Sequence, residues 1–200
     1  LIKIHTGSKN LIIVLHEIYG VNLHIKGVCR SLAKEGFDVS CPNLLQQQMT
    51  FEYNQEEAAY RHFTENIDFA DVAIKVQKIV LDAQDKYEEI YIVGFSVGAT
   101  IAWLCSEIDC IKGVVGYYGS RIRDHLETNP QCPTLLFFSK QEQSSGVTES
   151  LHRLNKKNVE VHQFNAEHGF SDPYSSKHHA PSRDDAYNKM LDFLLKHGIS

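Results

Sequence analysis

The chain has 200 residues, 42% of them hydrophobic and 22% charged, and 20 Lys and Arg against 25 Asp and Glu give a net charge of −5. This length and balance suit one globular domain, residues 1–200, and the mild acidic excess argues against a nucleic-acid protein, which carries a basic patch. The longest apolar runs, such as residues 11–15, fall far short of the roughly 20 residues of a membrane span; transmembrane, collagen-like and disordered classes are excluded.

Apolar, β-branched runs recur along the chain with helical patterns between them. The first strand is expected over residues 11–15, followed by a helix over 24–34 that Gly36 stops, then a strand over 37–41. A long helical pattern covers about 56–86, a strand 89–93 and a helix 97–107. Strands follow at 113–117, 134–138 and 159–162, with a helix over 148–156 before the last. Residues 183–196 close the chain as a helix, with Ala186, Met190, Phe193 and Leu194 at helical spacing and Ser182 as its cap. Several strands are apolar on both faces. Such alternation predicts an α/β domain whose mostly parallel sheet is covered by helices on both faces. In these sheets sites form at the carboxyl ends of the strands.

Cysteine and histidine add little. Cys29, Cys41, Cys105, Cys110 and Cys132 are odd in number and lack C-x-x-C spacing, so reduced thiols and a cytoplasmic setting are expected. No Lys/Arg-led apolar segment is visible at Leu1. Eleven histidines include no H-E-x-x-H, and His178-His179 reads as a solvated loop, so no metal is expected.

Chemistry enters at Gly94-Phe95-Ser96-Val97-Gly98, which fits G-x-S-x-G between a predicted strand and a predicted helix. That context marks a nucleophile elbow, where small neighbours let a strained serine rise above a helix N-terminus. A serine needs a base, and the base an orienting acid; with an elbow, the acid and then the histidine follow along the chain. Glu142, 46 residues on and just after a strand, and His168, 26 further, fit these places. Asp172 and Asp124 are the competing acids.

Four further stretches carry a resemblance: His16-Glu17-Ile18-Tyr19-Gly20-Val21-Asn22, Cys41-Pro42-Asn43-Leu44, Val115-Gly116-Tyr117-Tyr118-Gly119 and Ala166-Glu167-His168-Gly169-Phe170. With Gln141-Glu142, and in this order over about residues 11–196, they resemble the dienelactone hydrolase family of α/β-hydrolases. The resemblance implies the three-layer α/β-hydrolase fold and hydrolysis of a small ester or lactone without cofactor. It implies Ser96, Glu142 and His168 as the triad, with backbone N–H groups of Ile18 and Val97 receiving the oxyanion. A non-catalytic small-ligand-binding protein and an acyltransferase using the same residues are the other readings. No nucleic-acid or membrane partner is expected.

Two departures from the family matter. Its founding lactonases use a cysteine nucleophile, which a glutamate at the place of Glu17 helps to activate; here the nucleophile is Ser96, and Glu17 either takes part or supports its loop. Those enzymes also hold a substrate carboxylate with arginines, one of them four residues after the histidine, where this chain has Asp172. Arg61 and Arg183 lie in no matching motif. Phe170, Tyr174 and Tyr118 read either as core or as aromatic wall, and with no cation in that loop a preference for neutral esters or lactones is expected.

Overall fold

The computed structural model describes residues 1–45, 50–141, 153–154 and 158–198. Its strands are β1 (Ile2–Ile4), β2 (Asn10–Leu15), β3 (Asp38–Cys41), β4 (Glu89–Phe95), β5 (Gly113–Tyr117), β6 (Thr134–Ser139) and β7 (Val159–Phe164). They form one sheet in the order β1-β3-β2-β4-β5-β6-β7. Among the described strands, only β1 runs antiparallel, pairing Ile2 with Cys41. The sequence reading omits β1 because three residues hold too little alternation to register.

The helices are α1 (Leu23–Lys34), α2 (Glu56–Asn66), α3 (Phe69–Ala83), α4 (Val97–Cys105) and α5 (Ala180–Gly198). Asn22 starts α1 by accepting the Ile25 N–H, and Gly36, at φ +93°, ends it. The single helix expected over 56–86 is two. Ile67 is extended, and Asp68 accepts the N–H groups of Ala70 and Asp71, so a competing cap starts α3. Ser182 is not a cap: α5 begins two residues earlier, and Ser182 lies inside it with its Oγ 2.8 Å from His179 Nδ1. The helix expected over 148–156 lies largely outside the described residues.

Alternation along the central strands builds apolar core on both faces of the sheet. Ile12 and Val14 of β2 join Ile25, Cys29 and Leu32 of α1 and Ala186, Met190 and Leu194 of α5 on one face. Leu11, Ile13 and Leu15 join Phe63, Val76 and Ile101 of α2, α3 and α4 on the other. The sheet is thus sandwiched, as buried parallel strands require. Among the described residues, no helix is long and apolar enough to cross a membrane.

Candidate active site

β4 ends at Phe95, and α4 starts at Val97 with only Ser96 between. A turn this tight needs neighbours without side chains. A Cβ on Gly94 would lie 2.3 Å from the Gly98 carbonyl oxygen, and one on Gly98 would lie 2.3 Å from that of Leu15. Ser96 itself sits at φ 52° and ψ −115°, a sparsely populated backbone region that costs a non-glycine residue about 1–3 kcal/mol. Its N–H donates to the Tyr117 carbonyl at 2.9 Å, and its own carbonyl accepts from Ala99 and Thr100. These bonds hold the strain and project the side chain above the sheet edge.

His168 lies in the loop after β7, and its Nε2 is 2.9 Å from Ser96 Oγ. Burial, with a contribution from the Lys177 charge, pushes the imidazole down to about 4. At neutral pH it is uncharged and able to accept the serine proton. The loop is anchored to the end of β6: Ser139 Oγ donates to the Ala166 carbonyl and accepts from the Gln141 N–H, and Lys140 N–H donates to Phe164. Glu142, the next residue, lies outside the described residues.

The stretch after β2 supplies the opposite wall. His16 is fully buried, and burial pushes it down to about 4. Its Nε2 accepts the Leu44 N–H at 2.8 Å, so the proton sits on Nδ1, which donates to the Glu17 carbonyl at 2.6 Å. This neutral histidine staples the Glu17-Ile18 turn to the loop after β3. Glu17 is buried as well; burial first, and Asp172 second, push its carboxyl up to about 8. Its Oε1 accepts from Tyr118 Oη at 2.9 Å.

Among the described non-glycine residues, Tyr118 is the second with a positive φ, at 42°. The conformation turns its ring inward after β5, where it meets three groups. Its hydroxyl bonds Glu17 and, at 2.7 Å, Ser171 Oγ, and its ring centroid lies 5.0 Å from that of His168. Tyr118 and Phe170 are fully buried, so both are core rather than open wall. Tyr174 is exposed and lines a different pocket.

Ser96, His168, Glu17 and Ile18 line one small cleft of about 50 Å³. Its aromatic wall is Tyr19 and Tyr53, with ring centroids 5.0 Å apart. Asp172 faces the same cleft, where Tyr53 Oη donates to its Oδ2 at 2.5 Å and the Tyr174 N–H to its Oδ1. Lys177 and Glu56 sit at the cleft as an ion pair at 3.4 Å. Tyr53, Glu56 and Lys177 belong to no sequence motif, so nothing in the sequence flags them. Tyr19 lay inside the early signature and was legible. Arg61 pairs with Glu57 on the exposed side of α2, Arg183 pairs with Asp184 at another pocket, and Asp124 pairs with Arg121. Among the described residues, no three His, Cys, Asp or Glu side chains converge to hold a metal ion.

The dienelactone hydrolase family model matches residues 2–198. The chain belongs to the dienelactone hydrolase family. Within it, the chain is 42% identical over 170 residues to the "Uncharacterized protein YczH" of Bacillus subtilis (strain 168), covering 84% of this chain and 83% of that one. It is 25% identical over 217 residues to a "Putative carboxymethylenebutenolidase" of Yersinia pestis, across 98% and 81% of the two chains. The crystal structure of a "Putative Dienelactone Hydrolase" from Klebsiella pneumoniae subsp. pneumoniae MGH 78578 superposes with a TM-score of 0.76 at 22% identity, over 92% of this chain and 86% of that one. The fold is that of the α/β-hydrolases, and the family places this chain among hydrolases acting on ester bonds.

Proposed function

We propose that the protein is a serine hydrolase that cleaves small neutral esters or lactones through an acyl-enzyme on Ser96. The observation carrying this reading is the 2.9 Å contact between Ser96 Oγ, on a strained elbow, and the uncharged His168 Nε2. In the first step Ser96 Oγ attacks the substrate carbonyl while its proton passes to His168. Glu142, which follows the anchored end of β6, accepts the hydrogen bond of the far ring nitrogen and fixes the tautomer. Backbone N–H groups of Ile18, lining the cleft, and of Val97, at the first turn of α4, receive the oxyanion. Each such donor lowers the barrier by roughly 3 kcal/mol. His168 then protonates the leaving alcohol, and water repeats the sequence to free the acid. Glu17, a neutral carboxylic acid at pH 7, supports the turn that carries Ile18.

Neutral substrates suit the charges around the cleft. Lys177 is tied to Glu56, and Asp172 adds negative charge, so among the described residues lining the cleft an incoming carboxylate finds no unopposed cation. A fluorophosphonate probe tests the nucleophile. It should add its mass to the peptide containing Ser96, and Ser96→Ala should abolish labelling and lower turnover by about 10⁴ to 10⁶. Activity in Ser96→Ala near that of the parent would overturn the proposal. For charge, a short p-nitrophenyl ester should exceed a carboxylate-bearing lactone at least tenfold in kcat/KM at low salt; the reverse order would reject the neutral preference.

A further inference from the structure

A second pocket, of about 360 Å³, lies between α1 and α5, and Ser96 is not among its lining residues. Its origin is geometric. On this face α1 covers β1, β2 and β3 while α5 covers β5 and β6, which leaves the carboxyl end of β4 between them. The floor is Phe95 and Tyr117, the last residues of β4 and β5, stacked with ring centroids 4.7 Å apart. The side of α1 facing it is His24, Gly27, Val28 and Ser31, at helical spacing, and α5 contributes Tyr187 and Met190.

Gly27 is the informative residue. It sits inside α1, where glycine weakens a helix. Its φ is not in the left-handed range, and a Cβ built on it meets nothing within 4 Å. Neither the backbone nor packing requires a glycine there; what its missing side chain does is leave the pocket open.

The walls define a chemistry. Arg183 faces the pocket with Asp184, and their 2.6 Å ion pair cancels the charge. His24 is buried edge-on against Phe95, at 5.1 Å, and burial pushes it down to about 4, so it too is neutral. Its Nε2 is buried and has no hydrogen-bond partner among the described residues. Ser171 lines the same wall, but its hydroxyl proton goes to Tyr118 Oη, which itself donates to Glu17, so Ser171 Oγ can only accept. Stacked rings and a methionine favour an aromatic body. An unpaired imidazole nitrogen, donor or acceptor according to its tautomer, favours a ligand hydroxyl, which can meet either.

We propose that this pocket is a binding site for a small neutral phenol or aryl alcohol, distinct from the Ser96 cleft. The site stands whether or not Ser96 is a nucleophile, because no step of it uses the triad. Its volume falls in the range of small-molecule sites.

The test titrates the full chain, labelled with ¹³C-methyl methionine, with 4-ethylphenol. The sequence has two methionines, Met49 and Met190, and Met190→Leu assigns the signals. The Met190 methyl resonance should shift saturably. Benzyl alcohol should shift it likewise, and benzoate and benzylammonium should bind at least tenfold more weakly. Gly27→Phe, which fills the pocket, should weaken 4-ethylphenol at least tenfold, while Gly27→Ala should leave it intact. If Gly27→Phe does not fold, Ser31→Phe closes the same face, and the parent titration decides the site by itself. No saturable shift at Met190, unchanged affinity in the filled variant, or benzoate equal to the phenol would each overturn the proposal.

Discussion

Glu17 shows how burial sets chemistry at one residue. A carboxyl removed from water favours its protonated form, and the neighbouring charge of Asp172 adds to this, so Glu17 ionises only at about 8. A folded value above the ordinary 4.5 means that Glu17 contributes stability fully present below 4.5 and lost as pH rises through about 8. The slope within that window is at most about 1.4 kcal/mol per pH unit. Glu17→Gln, which keeps a neutral side chain of the same shape, should flatten the fall seen in urea unfolding between pH 6.5 and 8. An unchanged slope would show Glu17 already ionised. The orienting acid is settled by exchange: Glu142→Gln should cost at least a hundredfold in kcat and Asp172→Asn much less, because Asp172 already serves Tyr53 and Tyr174. The reverse order would transfer the role to Asp172. Ser96 and His168 were legible because their neighbours are sequence-local: two glycines in a five-residue turn, and a loop directly after a strand. Tyr53 was not, since its partner Asp172 lies 119 residues away and nothing near Tyr53 announces the contact.

At the scale of elements, helix and strand were legible wherever periodicity ran for several turns, and boundaries failed where a side chain captured the backbone. Asp68 broke the predicted long helix by taking two N–H groups, a competition that apolar spacing does not register. Asp38, the first residue of β3, does the same for the turn between β1 and β2. It is buried, and it accepts from the N–H groups of Thr6, Gly7 and Ser8 and the hydroxyls of Thr6 and Tyr87. Burial works against its charge, but bonds from Thr6, His5 and Tyr87 hold the carboxyl well below the usual carboxylate range. Asp38→Ala takes a charged acceptor away from these half-exposed donors, and a hydrogen bond to a charged group is worth about 1.5–3 kcal/mol. We expect Asp38→Ala to lose about 3 kcal/mol in chemical denaturation and Asp38→Asn less. A loss below 0.5 kcal/mol in Asp38→Ala would show that water replaces the carboxylate.

The whole molecule sums these local choices into a pH profile. The order of strands in the sheet, and hence which loops meet at its carboxyl edge, was legible only as a fold class, because strand order depends on contacts between distant segments. That order buries His16 beneath the early loop and His24 between α1 and the sheet, and burial pushes both down to about 4 from 6.5. For a histidine with a lowered folded value, the unfolded chain binds the extra proton, so stability is lost as pH falls from 6.5 towards 4. Two such groups lose up to about 2.7 kcal/mol per pH unit, and His168 acts in the same direction. Glu17 opposes them: between 4.5 and 6.5 it returns part of the loss on acidification, and above 6.5 it acts with no histidine to balance it. Stability should therefore peak near pH 6.5, falling steeply on the acid side and gently on the alkaline side up to about 8. Urea unfolding of the full chain from pH 4.5 to 9 measures this. His24→Gln should flatten the acid limb by about one proton's slope without moving the alkaline one, because only the histidine side of the balance changes. A profile flat from 5 to 8, or an acid limb that His24→Gln leaves untouched, would mean that His24 holds its proton in the folded state.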